Sequence, residues 1–267
     1  MDLRRMMIGM VGLLGMWLMG QGVASAQVTV STNSIADAFV RSADPTHNYG
    51  GAGALSVSGT IATNASGAQM GSLDSFARFD ISSSFAQFNT AFGVGDWTLS
   101  SAKLLLTETA TPPQAIFNRG VGQFEIRWIA NSSWVEGTGN PNTPTTNGIV
   151  YNDEPSVLNA GLDATLGTFT NGGTNGLDTF SLGTPSAFIS DVSTGGLVDL
   201  YFTATPGSTV GFTFNSHEFG TASARPLLQL TAVAIPEPTT AALVGLSFAT
   251  LVALRRAQRK SGHGEAD

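Results

Sequence analysis

The 267-residue sequence contains no cysteine. Disulfides, thiolate metal sites and cysteine nucleophiles are therefore excluded. The absence suits a chain with a core large enough to fold without covalent staples. Charge is also scarce: Asp, Glu, Lys and Arg make up 12% of the chain, against roughly 25% in an average soluble protein. Heptads rich in Glu, Lys and Leu are missing, which excludes a coiled coil. Basic residues are fewest where a nucleic-acid binder needs them. Six of the twelve lie in the tails, as Arg4, Arg5, Arg255, Arg256, Arg259 and Lys260, and between Gln27 and Ile235 six basic residues face fifteen acidic ones. Such a body makes no nucleic-acid partner, because binding relies on Lys and Arg neutralising phosphates. It also repels acidic polysaccharides unless a cation bridges them. No internal repeat of 20–50 residues is visible.

Glycine (32), proline (11) and phenylalanine (16) are plentiful. Low net charge with many Phe argues against wholesale disorder. Short strands joined by turn-rich loops suit this composition. Period-2 patterning supports them: Phe124, Ile126 and Trp128 fall on one face of a run whose other face carries Gln123, Glu125 and Arg127. The run 210–216 alternates in the same way. Strands are expected at 28–32, 37–42, 54–59, 75–82, 101–109, 122–130, 178–183, 197–205, 210–216 and 226–234. Turn signals such as Asn48-Tyr49-Gly50-Gly51, Asn171-Gly172-Gly173 and Thr205-Pro206-Gly207 separate them. No helical stripe is expected outside the tails. The reading is an all-β, single antiparallel β-sandwich, jelly-roll-like, spanning 27–235. Segment 131–176 shows little strand pattern and is expected to contribute any binding surface.

The two ends read as addresses. Residues 1–26 have the layout of a signal peptide: Arg4 and Arg5, an apolar run from Met6 to Met19, then Ala24-Ser25-Ala26, with cleavage expected between Ala26 and Gln27. Met6-Met7 after the Arg pair fits a twin-arginine signal poorly and favours ordinary Sec export. At the other end Pro236-Glu237-Pro238 precedes the mostly apolar stretch Thr239–Leu254 and a basic cluster beginning Arg255-Arg256. A stretch of sixteen residues is short of the roughly 20 needed to span a bilayer, but flanking residues and snorkelling Arg side chains make up the difference. The basic cluster places the C-terminus on the cytoplasmic side. The segment 236–260 is expected to hold a transmembrane helix, followed by a polar tail, 261–267.

This order of motif, apolar helix and basic cluster resembles the PEP-CTERM sorting signal. The resemblance implies a Gram-negative bacterium, an inner-membrane-anchored intermediate, processing by a membrane-embedded exosortase, and delivery to the cell surface or exterior. A plain C-terminal membrane anchor is the alternative. The body in turn is similar to DNRLRE domains. The matching pieces are Asp37–Ser42, Asn48-Tyr49-Gly50, Leu55-Ser56-Val57, Arg78-Phe79-Asp80, Ala102-Lys103-Leu104, Trp134-Val135-Glu136, Tyr151–Pro155, Asp191-Val192-Ser193, Ser216-His217-Glu218 and Arg225-Pro226. Tyr151 stands where that family has Trp, and His217 where it has Arg. The resemblance implies a jelly-roll module of cell-surface and carbohydrate-active proteins, with extracellular polysaccharide as a partner.

Candidate site residues follow from chemistry. Aromatic faces hold sugar rings, so Tyr49, Trp97, Trp134 and Tyr151 are candidate sugar contacts; for Trp134 the competing reading is loop packing, and Trp128 reads as core. Calcium takes six to eight oxygen ligands from loops, and Asp37, Asp153, Asp191 and Glu218 are candidate donors, with Asp44 a further one; turn capping is the competing role. No other cofactor is indicated. Arg78 and Asp80 share a strand face and are a candidate ion pair of small energetic value. Asn64 and Asn131 head acceptor patterns that are accidental in a bacterial chain. Catalysis finds little support: Glu136, Asp153 and Glu154 do not form an obvious acid–base pair, there is no Gly-x-Ser-x-Gly elbow, and the body's two histidines lack a third soft ligand. The expected function is a non-enzymatic structural or adhesive component of exopolysaccharide or biofilm matrix. The alternatives are a carbohydrate-binding module and, more distantly, a polysaccharide lyase or hydrolase.

Overall fold

β1 (Gln27–Arg41) is shared by two antiparallel sheets. Its first half, Gln27–Asn33, pairs with β10 (Leu227–Ala234), and its second half, Ser34–Arg41, pairs with β3 (Leu73–Asp80). The two expected strands 28–32 and 37–42 are thus one, kinked by a bulge between Ser34 and Ala36 that turns the chain from one sheet into the other. The first sheet runs β1-β10-β4-β7, with β4 at Trp97–Thr107 and β7 at Leu177–Leu182. The second runs β6-β5-β8-β3-β1, with β5 at Gly122–Ile129, β6 at Ala164–Asn171 and β8 at Leu197–Ala204. β2 (Ala54–Ser58) pairs with β3 and with β9 (Gly211–Asn215). A bond from Gly183 N–H to the Leu166 carbonyl links the β6 and β7 edges, so the sheet is nearly closed. The computed structural model describes residues 26–63, 67–108, 120–171, 176–235 and 252. The signal run, Pro236-Glu237-Pro238, Arg255 and Arg256 lie outside them; Ala26 and Gln27 are described and exposed. Among the described residues no helix is long and apolar enough to cross a membrane.

The architecture is all-β and sandwich-like. Between the sheets lies the main core, including Phe79, Leu104, Phe124, Phe212 and Leu228. Burial of such side chains contributes about 1.5–3 kcal/mol each. A second apolar cluster of Ala38, Val40, Phe76, Ile129, Trp134, Ile149, Val157 and Tyr201 lies apart from it. Phe76 and Phe79 are an odd number of residues apart on β3 and project to opposite faces. Segment 131–158 covers the outer face, so β3 is buried on both sides. The expected long loop is therefore a packed cover.

Four elements depart from the sequence expectation. Helix α1 (Ser82–Phe92) places Phe88 in the core with Phe85 and Phe92 packed beside it; Phe85, Phe88 and Phe92 have helical spacing, and that was its local signal. Asp80 starts the helix by accepting the Ser82 N–H at 2.9 Å and the Ser82 hydroxyl, which hold its carboxyl below the usual range. The short helix α3 (Ser186–Val192) buries Phe188 and Val192; α2, Glu154–Val157, lies in the cover. Strand β6 escaped because a bulge opposite Ile126 and Arg127 breaks its alternation, so Leu166 and Phe169 both reach the core. The turn 205–208 forms as expected: Ser208 N–H donates to the Thr205 carbonyl at 2.9 Å and Gly207 takes φ 75°.

Candidate functional site

Asp37, Glu136, His217 and Glu218 converge where β1, the cover and the segment after β9 meet. Asp37 follows the β1 bulge and is buried. Its backbone N–H donates to Glu136 Oε1 at 2.9 Å, and its Oδ2 accepts the His217 backbone N–H at 2.7 Å. Glu136 points inward because the cover alternates there: Trp134 is buried, Val135 is exposed, and Glu136 turns back toward β1. His217 Nδ1 lies 3.1 Å from Glu136 Oε1, 3.4 Å from Glu218 Oε2 and 3.5 Å from Asp37 Oδ2, yet is aligned for a hydrogen bond with none of them. Asp37 and Glu136 push the imidazole up to about 10. Burial raises the Asp37 carboxyl, and His217 opposes that shift. Ser216 donates its hydroxyl to Glu218.

Asn48 holds the cover in place. Its side chain is fully buried and saturated: Nδ2 donates to the carbonyls of Glu136 at 2.7 Å and Ile149 at 2.9 Å, while Oδ1 accepts the N–H groups of Gly139 at 2.9 Å and Gly50 at 3.2 Å. Gly137, at φ +78°, passes so near that a Cβ would sit 2.3 Å from Asn48 Oδ1. Tyr49 stacks on Phe39 at 4.6 Å and donates its hydroxyl to Asp44 at 2.9 Å.

Two further polar clusters lie under the cover. Asp199 accepts from Arg78 Nε at 2.8 Å and Trp134 Nε1 at 2.6 Å. Arg78 also donates to the Ser132 carbonyl at 2.7 Å and lies 4.4 Å over the Trp134 ring. The expected Arg78–Asp80 pair does not form: Asp199, across the β3–β8 ladder, takes the arginine, and Asp80 accepts from Ser82 just before α1. The other cluster joins Asp74, Glu154 and Tyr201, all buried, with Tyr201 donating to Glu154 at 3.1 Å. Burial, then the charge of Asp74, push Glu154 up to about 8. The folded state therefore holds a proton that the unfolded chain releases near 4.5. Stability contributed by that proton is lost as pH rises from 4.5 toward 8. Glu154→Gln is expected to match the parent near pH 5 and to exceed it by about 1–2 kcal/mol at pH 8, or about 2–8 °C in melting temperature. A pH-independent difference in thermal melts would show that no proton is held there.

The structure separates the sequence candidates. Tyr49, Trp97 and Trp134 are 5%, 6% and 3% exposed, so their faces are used in packing and none is open to a sugar ring. Trp97 packs on Phe88 at 4.9 Å and donates to Asn89 at 2.8 Å. Tyr151 remains half-buried. Of the candidate calcium donors, Asp37 and Glu218 meet. Asp153 instead accepts the Val150 N–H at 3.1 Å, and Asp191 accepts the Trp128 indole at 2.7 Å, so neither joins them. Glu136 and His217 complete the cluster. Nothing local marks Glu136 and His217 as partners of Asp37, since 99 residues separate Asp37 from Glu136 and 180 separate it from His217. Chemically, one imidazole nitrogen and three carboxylates can hold a proton or a cation. A scan against protein-family models and a search of curated proteins match nothing to this chain.

Proposed function

We propose that this chain is an exported cell-surface or extracellular-matrix protein of a Gram-negative bacterium, with a non-enzymatic structural or adhesive role in exopolysaccharide or biofilm matrix. Its body is a jelly roll of DNRLRE type, preceded by a cleaved signal peptide. The PEP-CTERM tail, with its transmembrane helix, anchors an inner-membrane intermediate that exosortase processes. The observation that carries the non-enzymatic reading is how the body uses its polar groups: Asn48, Arg78, Trp134 and Asp199, several from the family-like segments, are bonded to one another and to the cover's backbone. That is the chemistry of a rigid scaffold. A groove of about 360 Å³ beside α1, lined by Val28, Ser83, Ala86, Gln87, Thr90 and Ala91, carries no acid or base. A second reading, a carbohydrate-binding module, is favoured by Phe219, 39% exposed beside Glu218; glycan binding lost in Phe219→Ala would select it.

The sorting reading is tested by localisation. The tagged full chain, expressed in an exopolysaccharide-producing Gram-negative host that has exosortase, is expected in the surface or medium fraction. A chain carrying Pro236→Ala, Glu237→Ala and Pro238→Ala is expected to remain in the inner membrane. The same distribution for both would sink the reading.

A further inference from the structure

We propose that Asp37, Glu136, His217 and Glu218 form a binding site for one divalent transition-metal ion, zinc by preference. A tetrahedral ion bound at ~2.0–2.1 Å holds its ligand atoms ~3.3–3.4 Å apart. His217 Nδ1 lies 3.1, 3.4 and 3.5 Å from one oxygen each of Glu136, Glu218 and Asp37. The four ligand atoms all fall within 4.8 Å of one another. The three edges from His217 match those of a tetrahedral shell, and the carboxylate oxygens lie near enough to close on one ion.

An independent observation points the same way. Asp37 has a side-chain exposure of 1%; its Oδ2, the oxygen nearest His217 Nδ1, accepts the His217 backbone N–H, and its other oxygen, Oδ1, has no hydrogen-bond partner among the described residues. The His217 Nδ1 atom is buried as well and, with three carboxylates within 3.5 Å, is aligned for a hydrogen bond with none of them. Buried polar atoms are nearly always satisfied, and a bound ion is one of the few accounts of an orphan. Charge adds to this. Three carboxylates around one imidazole leave a net negative centre even when the ring is protonated, and a dication compensates it better than a proton does. Access is open, since the Glu218 side chain is 41% exposed.

The donor set decides the class of ion. An imidazole nitrogen suits zinc and its neighbours, whereas calcium takes six to eight oxygens. The calcium expectation is therefore replaced at this position: two of its donors are present, but with a nitrogen and only four side chains. The backbone bonds from His217 N–H to Asp37 and from Asp37 N–H to Glu136 hold two of the ligands in place. Such supporting bonds orient ligands before an ion arrives.

The test uses the purified full chain in mild detergent, stripped with chelator and titrated calorimetrically with zinc chloride, then with calcium chloride. One zinc ion per chain is expected, with a rise in melting temperature of about 5–10 °C at a hundredfold excess over Kd. Glu218→Gln, the most exposed ligand, is expected to leave the metal-free melting temperature within a few degrees and to weaken zinc at least about tenfold. His217→Gln is expected to abolish saturable binding. No saturable zinc binding, undiminished binding by Glu218→Gln and His217→Gln, or calcium bound in preference to zinc would each overturn the proposal.

Discussion

Asp199→Ala is expected to destabilise the protein by about 3–5 kcal/mol, the cost of removing one partner of a buried ion pair. Asp199 is buried and accepts from both Arg78 and Trp134. Removing it leaves the Arg78 guanidinium, with a side-chain exposure of 14%, facing Ser132 and the Trp134 ring without a counter-charge. It also strands the indole N–H. Urea denaturation is the measurement, with an unchanged slope and a lower midpoint as the expected signature. Removing both charges in Arg78→Met with Asp199→Leu should recover much of the loss, because the desolvation cost of the pair disappears with it. A loss below about 1 kcal/mol in the single variant would place the pair among weak surface bridges.

Asn48→Ala ranks second, at about 3–4 kcal/mol, from four hydrogen bonds of one buried side chain at roughly 1 kcal/mol each. Its partners are the backbones of Gly50, Glu136, Gly139 and Ile149, all of which lose a side-chain bond in the variant. The effect should be local as well as global. Amide exchange over 131–158 is expected to accelerate more than exchange in β3 or β10, because the variant unfastens the cover and leaves the ladders intact. Uniform acceleration across the sheets would refute a fastening role. Because Asn48 holds the backbone of Glu136, this variant is also expected to weaken zinc.

Both effects act where the cover meets the second sheet. An apolar face on β1, β3 and β8 carries Val40, Phe76 and Tyr201, and segment 131–158 supplies Trp134, Ile149 and Val157 to cover it. Asn48, Arg78 and Trp134 bond to Asp199 or to the cover's backbone, which gives the cover one register on the sheet. Phe76 packs on Trp134 at 5.6 Å and on Tyr201 at 5.1 Å, so the aromatic and polar contacts are interleaved.

The sequence alone determined the all-β class, because alternation is local. Phe124, Ile126 and Trp128 share a face whatever strand lies beside them, and all three are buried. Turn chemistry is local too, as at Gly207. The expectation of no helix outside the tails fails at α1: Phe85, Phe88 and Phe92 have helical spacing, but the three serines at its start resemble a loop. The masking of β6 lay in its bulge, which only pairing with β5 reveals. Burial of Tyr49, Trp97 and Trp134 was not readable, since whether an aromatic face meets solvent depends on what packs over it. Only the tertiary structure decided that Arg78 takes Asp199 and not Asp80, and that Asp37, Glu136 and His217 meet. Those residues lie far apart in sequence, and strand order, which local patterning does not encode, brings them together.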